Sequence, residues 1–228
     1  MRYSYDCADS EFYATNIKLC EGGYYDFDVV TPDGVIEACH LGIPGWVNVE
    51  NAVAAVASMW CAAKRRGEAL DPDLLRQGLV GYQGVKRRFE FYVNTPRQVY
   101  MDDYAHHPEE LEATITSVRK MFPGRKLTAV FQPHLYTRTR DLYREFAAAL
   151  SHADEAVLVP IYPAREEPIE GVGSEMIAEL VGVPVSICER ERLAEKLSVA
   201  KTDVVVSFGA GNIDAYCSAI AKELEKKA

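Results

Sequence analysis

The chain has 228 residues, enough for one large domain or two modest ones. Its 48% hydrophobic and 26% charged residues are a globular composition that excludes disorder along the whole length, and no apolar run approaches the roughly 20 residues of a membrane span. Lys and Arg number 25 against 34 Asp and Glu, a net charge of −9, so nothing global draws the chain to nucleic acid and an anionic ligand must meet a local cluster of cations.

The start, Met1-Arg2-Tyr3-Ser4-Tyr5-Asp6, has no apolar signal core, which points to a cytoplasmic protein. Its six scattered cysteines form no CxxC pair and read as reduced thiols, with no metal site expected. Residues 12–19, 24–30 and 35–41 alternate apolar and polar positions, separated by Gly22-Gly23 and Pro32-Asp33-Gly34, and predict a small antiparallel meander. An Ala-rich helix is expected over 51–66, stopped at Gly67. A second opens at Asp71-Pro72, aspartate as N-cap and proline in the first helical position, and fades over 78–81. From residue 98 the pattern becomes strand–helix alternation. Strands are predicted at 98–103, 126–131, 156–160, 183–187 and 203–208, with helices from Pro108, over 139–153, 174–181 and 190–200, and from Asn212. Apolar strands alternating with amphipathic helices predict an α/β fold with a mostly parallel, doubly wound sheet flanked by helices.

In such a sheet, ligands bind outside the carboxyl ends of the strands. There the sequence places Asp102-Asp103-Tyr104-Ala105-His106-His107-Pro108, Gln132-Pro133-His134 through Arg138-Thr139-Arg140, Tyr162-Pro163-Ala164-Arg165, and Gly209-Ala210-Gly211-Asn212. Singly, a strand-end aspartate caps a helix and a surface histidine or arginine is merely solvated; four such loops on one rim make a site. Gly209-Ala210-Gly211 begins like a dinucleotide fingerprint, but its third glycine position holds Asp214 and it follows the last strand, so a tight strand-to-helix turn is the better reading. Lys86-Arg87-Arg88 is either a solvated basic turn or the source of a hinge arginine facing a transferring phosphoryl group. Asn48 can cap the Ala-rich helix, which leaves Asn51 unexplained; two amides on one face can also read a purine edge.

Taken together, Asp102 through Pro108, Phe131-Gln132-Pro133-His134 with Thr137-Arg138-Thr139-Arg140-Asp141-Leu142, and Gly84-Val85-Lys86-Arg87-Arg88-Phe89 resemble the Mur ligase family. Asn48-Val49-Glu50-Asn51-Ala52 extends the resemblance toward the N-terminus. It implies that residues 1–92 are the end of a central ATP-binding domain and 93–228 a complete C-terminal Rossmann-like domain. A phosphate loop of the G-x-x-x-x-G-K-[ST] kind is absent from the chain, so by resemblance that loop, the Mg²⁺ ligands and the UDP-sugar domain belong to an N-terminal part, and the chain alone is expected not to turn over. The implied reaction consumes ATP to convert the carboxylate of UDP-N-acetylmuramate to an acyl phosphate, which the amine of L-alanine then attacks, a step of peptidoglycan synthesis. By resemblance, Asn48 and Asn51 face adenine, Arg88 contacts the ATP phosphates, and Asp103 holds the ribose. Tyr104, His106, His134 and Arg138 form the amino-acid end, where Arg138 suits the carboxylate and either His106 or His134 accepts the amine's proton. Two positions depart from the family pattern: Val47 stands where histidine is frequent, and Leu135 where arginine is frequent, which leaves Arg138 ahead of Arg140 and Arg165. A ligase that recycles an intact tripeptide and a non-catalytic nucleotide or amino-acid binding module are the alternatives.

Overall fold

Strict alternation marks the central strand of the first sheet: along β2 (Tyr25–Thr31), Tyr25, Phe27 and Val29 are buried while Asp26 and Asp28 stand on the other face. β2 pairs antiparallel with β1 (Tyr13–Leu19) on one side and β3 (Gly34–His40) on the other. Both ladders slip by a bulge, and the Asp28 carboxylate accepts from Asn16 Nδ2 (2.7 Å) and Ala38 N (2.8 Å), the two residues of positive φ at those slips. Helices α1 (Trp46–Arg66) and α2 (Pro72–Gly81) share the core beneath, with Val49, Val53 and Leu75 joining Phe27 and Val29. The Asp71 side chain accepts from Asp73 N and Leu74 N, and α1 stops at left-handed Gly67, both as the sequence predicts.

The start of α1 corrects the sequence reading, which placed it at residue 51. Gly45 (φ 108°) makes the turn, Trp46 packs edge-on to Tyr25 at 5.5 Å, and Val49 is fully buried, so packing overrides the weak helix propensity of Val47 and Val49. Asn48 therefore lies inside the first turn and is not the cap; its Nδ2 donates to Pro44 O at 2.8 Å.

In this computed structural model, which describes residues 2–4 and 6–228, the chain divides into two units, 1–84 and 85–228. Of the N-terminal stretch examined for a signal, Met1 and Tyr5 lie outside the described residues. The second unit is a six-stranded sheet. β5 (Val99–Asp103), β6 (Leu127–Phe131), β7 (Glu155–Leu158), β8 (Val185–Ile187) and β9 (Val204–Phe208) are parallel, and β4 (Glu90–Asn94) runs antiparallel at the edge, in the order β4-β5-β9-β6-β7-β8. Because β4 pairs with β5, residues 90–92 lie with the second unit and not with the first, where the sequence reading placed them.

Every residue of β5, β6 and β9 is buried, since helices cover both faces. α3 (Pro108–Met121), α4 (Tyr136–Leu150) and α5 (Ser174–Ala178) bring Leu111, Ile115, Phe146 and Ile177 to one face. α6 (Leu193–Val199) and α7 (Cys217–Glu225) bring Leu193, Leu197, Ile220 and Leu224 to the other. The chain leaves β5 for β6 over one face and returns over the opposite face to insert β9 between them. The carboxyl ends of β5, β9 and β6 thus form the topological switch point, where open α/β sheets bind ligands. No helix among the described residues is long and apolar enough to cross a membrane.

Candidate functional site

At the switch point the backbone is packed too closely for side chains. A Cβ on Gly209 (φ 138°) would lie 2.6 Å from Gln132 O, and one on Gly211 would lie 2.3 Å from Gln132 Oε1. The two glycines therefore serve the tight turn that the sequence reading preferred. Beside them, Asp102 is fully buried, accepting from Ser207 Oγ (2.6 Å) and Arg87 Nε (3.0 Å). Asp103 is also buried, and its two oxygens accept from Phe89 N (3.0 Å) and Ala105 N (2.9 Å). Burial pushes both carboxyls above the usual carboxylate range. Neither aspartate caps α3: His107 occupies that position, and Glu110 Oε2 accepts from the amides of His106 (2.9 Å) and His107 (3.2 Å).

The side chains expected to form the amino-acid end lie in one row. The Arg88 guanidinium stands 5.6 Å from the Tyr104 ring centre; Tyr104 meets His106 edge-on at 5.2 Å; His106 meets His134 edge-on at 6.3 Å. His134 stacks on Tyr162 at 5.7 Å, with the two segments joined there by a parallel bridge. Arg138, on the first turn of α4, bears electrostatically on both His106 and His134. α4 starts at Tyr136, earlier than expected, because Glu166 from the loop after β7 accepts from Thr137 N at 2.9 Å and supplies a cap that the local sequence lacks. Leu135 enters that helix at φ 73°, a strained conformation for a branched side chain. Arg140 is exposed and paired with Asp141 (2.7 Å), and Arg165 is exposed, so neither joins the row.

Burial holds the imidazoles of His106 and His134 below their ordinary value. His106 Nδ1 lies 3.0 Å from Tyr104 O, a carbonyl that can only accept, so Nδ1 carries the proton and Nε2 keeps its lone pair. Two buried nitrogens, His134 Nδ1 and Arg138 Nη1, have no hydrogen-bond partner among the described residues. Buried polar atoms are normally satisfied, so these two nitrogens are open to a polar ligand group. The row can hold a carboxylate at Arg138 and accept a proton at His106. Tyr162 and Glu166 fall in the rim loop and Arg87 in the basic turn that the sequence marks, but nothing local gives any of them a role of its own; Glu110 goes unmarked although it stands three residues after His107, at capping-box spacing.

In the first unit, Asn51 Nδ2 lies 3.4 Å from Asn48 Oδ1, and both residues line a cavity of about 470 Å³ walled by Leu41, Ala52, Val56 and Leu75. An apolar slot with two amides suits a flat heteroaromatic base. Val47, beside them, is exposed. Among the described residues, no group of three or more His, Cys, Asp or Glu is placed to hold a metal ion.

Residues 87–211 match the family described as Mur ligase, glutamate ligase domain. The UDP-N-acetylmuramate–L-alanine ligase of Parabacteroides distasonis is 44% identical over 228 residues, covering 99% of this chain and 48% of that protein. The ligase of the same name from Phocaeicola vulgatus is 43% identical over 227 residues, with 99% and 48% covered. The chain thus spans about half the length of the curated relatives it matches. Among solved structures, the UDP-N-acetylmuramate-alanine ligase of Thermotoga maritima superposes with a TM-score of 0.71 at 24% identity, over 97% of this chain and 47% of that one. The folylpolyglutamate synthase of the same organism gives 0.68 at 18% identity, over 96% and 48%. Both share the fold.

Proposed function

The chain belongs to the Mur ligase family, and from that premise we propose that it supplies the amino-acid-binding half of a cytoplasmic, ATP-dependent ligase that joins L-alanine to UDP-N-acetylmuramate in peptidoglycan synthesis. The observation that carries this reading is the pair of buried, unpartnered nitrogens on Arg138 and His134 beside a neutral His106. An incoming α-amino acid brings the complementary groups: a carboxylate for Arg138 and an ammonium that must lose a proton before it attacks. The Arg138 guanidinium holds the carboxylate through its planar fork. His106 Nε2 takes the proton, because Tyr104 O fixes the tautomer that leaves this atom basic. ATP supplies the activation of the muramoyl carboxylate. Exposed Arg88 meets the phosphoryl charge that develops there, and Asn48 and Asn51 read the adenine edge from their apolar slot. Asp103, whose oxygens already accept from two amides, keeps the ribose contact through a remaining lone pair.

The phosphate loop and the Mg²⁺ ligands are assigned to the half of the ligase outside this chain, so the chain alone does not turn over. Incubated with UDP-N-acetylmuramate, L-alanine, ATP and Mg²⁺, it is expected to release no phosphate above background, and stoichiometric turnover would refute the division of labour. In the ligase completed by its other half, Arg138→Ala should raise the KM for L-alanine roughly 10- to 100-fold, the loss of one charge-assisted contact. An unchanged KM would move the carboxylate site elsewhere.

A further inference from the structure

Lys86, Arg87 and Arg88 are alike in sequence but not in space. Lys86 and Arg88 are exposed, while the Arg87 side chain is only 14% exposed. Its guanidinium reaches three acceptors at once: Asp102 Oδ2 through Nε (3.0 Å), Gly211 O through Nη1 (3.1 Å) and Gly209 O through Nη2. Asp214 lies 3.7 Å from Nη1, and the Tyr104 ring centre 5.0 Å from the guanidinium carbon. A lysine ammonium cannot span that planar set.

The backbone around Arg88 is clamped on both sides. Arg87 N donates to Glu90 Oε2 (2.8 Å), Arg87 O accepts from Tyr104 N (2.7 Å), and Phe89 N donates to Asp103 Oδ2 (3.0 Å). Arg87 (φ 58°) and Phe89 (φ 47°) both sit in the left-handed region, which non-glycine residues adopt when their surroundings dictate it. Arg88, between them, is exposed, its guanidinium carbon 5.6 Å from the centre of the same tyrosine ring.

We propose that Arg87 is a positioning residue: its fork latches segment 87–89 onto the carboxyl ends of β5 and β9 and thereby fixes where Arg88 and Tyr104 stand. The functional consequence rests on the reading of Arg88 as a phosphate contact; the latch itself does not.

The test is NMR on this chain, ¹⁵N-labelled in backbone and arginine side chains, with inorganic triphosphate as the probe. Arg87→Gln should cost Phe89 N–H and Tyr104 N–H about tenfold or more in exchange protection, while Val205 and Val206 at the sheet centre keep theirs. Arg87→Lys retains a charge opposite Asp102 but not the fork, and should lose the same two protections; it decides the matter if Arg87→Gln unfolds. Triphosphate should shift the Arg88 Nε–H resonance in the unmodified chain and bind at least about fivefold more weakly to Arg87→Lys. Full protection of Phe89 and Tyr104 in Arg87→Lys overturns the latch; lost protection with unchanged triphosphate affinity, where Arg88 does respond to triphosphate in the unmodified chain, overturns the claim that Arg87 positions Arg88. If protection falls as expected but Arg88 is silent to triphosphate in the unmodified chain, the latch stands and the phosphate reading of Arg88 fails.

Discussion

The two units carry their candidate sites by opposite means. In the first, Asn48 and Asn51 meet an apolar slot, and the polar groups there are neutral amides near the surface. In the second, the buried carboxylates Asp102 and Asp103 are braced by Arg87, Ser207 and backbone amides beneath a row of aromatic and cationic side chains. A slot recognises by shape and tolerates the loss of one contact. A buried charge network orients its groups before a ligand arrives, and each member holds the others in place. The second arrangement is the one that suits chemistry, because oriented charges in a dry site stabilise developing charge most.

The sharpest way to break this contrast is to remove one charge. Asp102→Ala leaves Arg87 Nε and the Ser207 hydroxyl without the carboxylate they donate to and should cost about 3–5 kcal/mol in urea unfolding followed by circular dichroism. Asn51→Ala should cost no more than about 0.5 kcal/mol. Both tryptophans, Trp46 and Trp60, lie in the first unit, so their fluorescence reports that unit separately. Equal costs for the two variants would erase the distinction.

Next in size is one substitution made in both units. Gly209→Ala forces a Cβ to within 2.6 Å of Gln132 O at φ 138° and should destabilise by about 2 kcal/mol or more. Gly78→Ala, inside α2 with nothing within 4 Å of the new Cβ, should stabilise by about 0.5–1 kcal/mol. Thermal melts of the pair therefore move in opposite directions; a shared sign would mean that the switch point is less tightly packed than its geometry requires.

What could be read from the sequence was local. Alternation in β2, the Asp71-Pro72 helix start, the Gly67 stop and the rim loops each carry their signal within a few residues, and each has its counterpart in the structure. What could not be read depends on distant partners. No strand is marked at β4 until β5 pairs with it, and the first turn of α1 is not marked as helix until Trp46 finds Tyr25. Arg87 is one of three neighbouring cations until Gly209 and Gly211, over 120 residues away, offer their carbonyls. Motif and resemblance could name candidate site residues, but not the tautomer of His106 or the unpartnered nitrogens, because both depend on which groups come near in the fold.

Protonation is the gentlest probe of the contrast. His106 and His134 titrate below their ordinary value of 6.5, chiefly because burial disfavours the imidazolium. Between their folded values and 6.5, the unfolded chain binds more protons than the native one, so stability falls as pH drops through that window. Asp102 and Asp103 act in the opposite sense at lower pH: burial raises both, so between the ordinary 3.8 and the raised values the native state binds more protons and their contribution grows on acidification. In the first unit, Asp26 is lowered chiefly by its hydrogen bond to His40 and Asp33 by that to Lys64, contributions present above 3.8 and lost as pH falls through the folded values. Acidification from neutral pH should therefore lower the melting transition seen by circular dichroism as soon as the pH passes about 6.5, before the tryptophan-detected transition of the first unit responds. The double substitution His106→Gln with His134→Gln should flatten the early decline. A decline that survives both substitutions would locate the proton-sensitive groups outside the row, and the second unit's site would then no longer be distinguished by neutral, half-buried imidazoles.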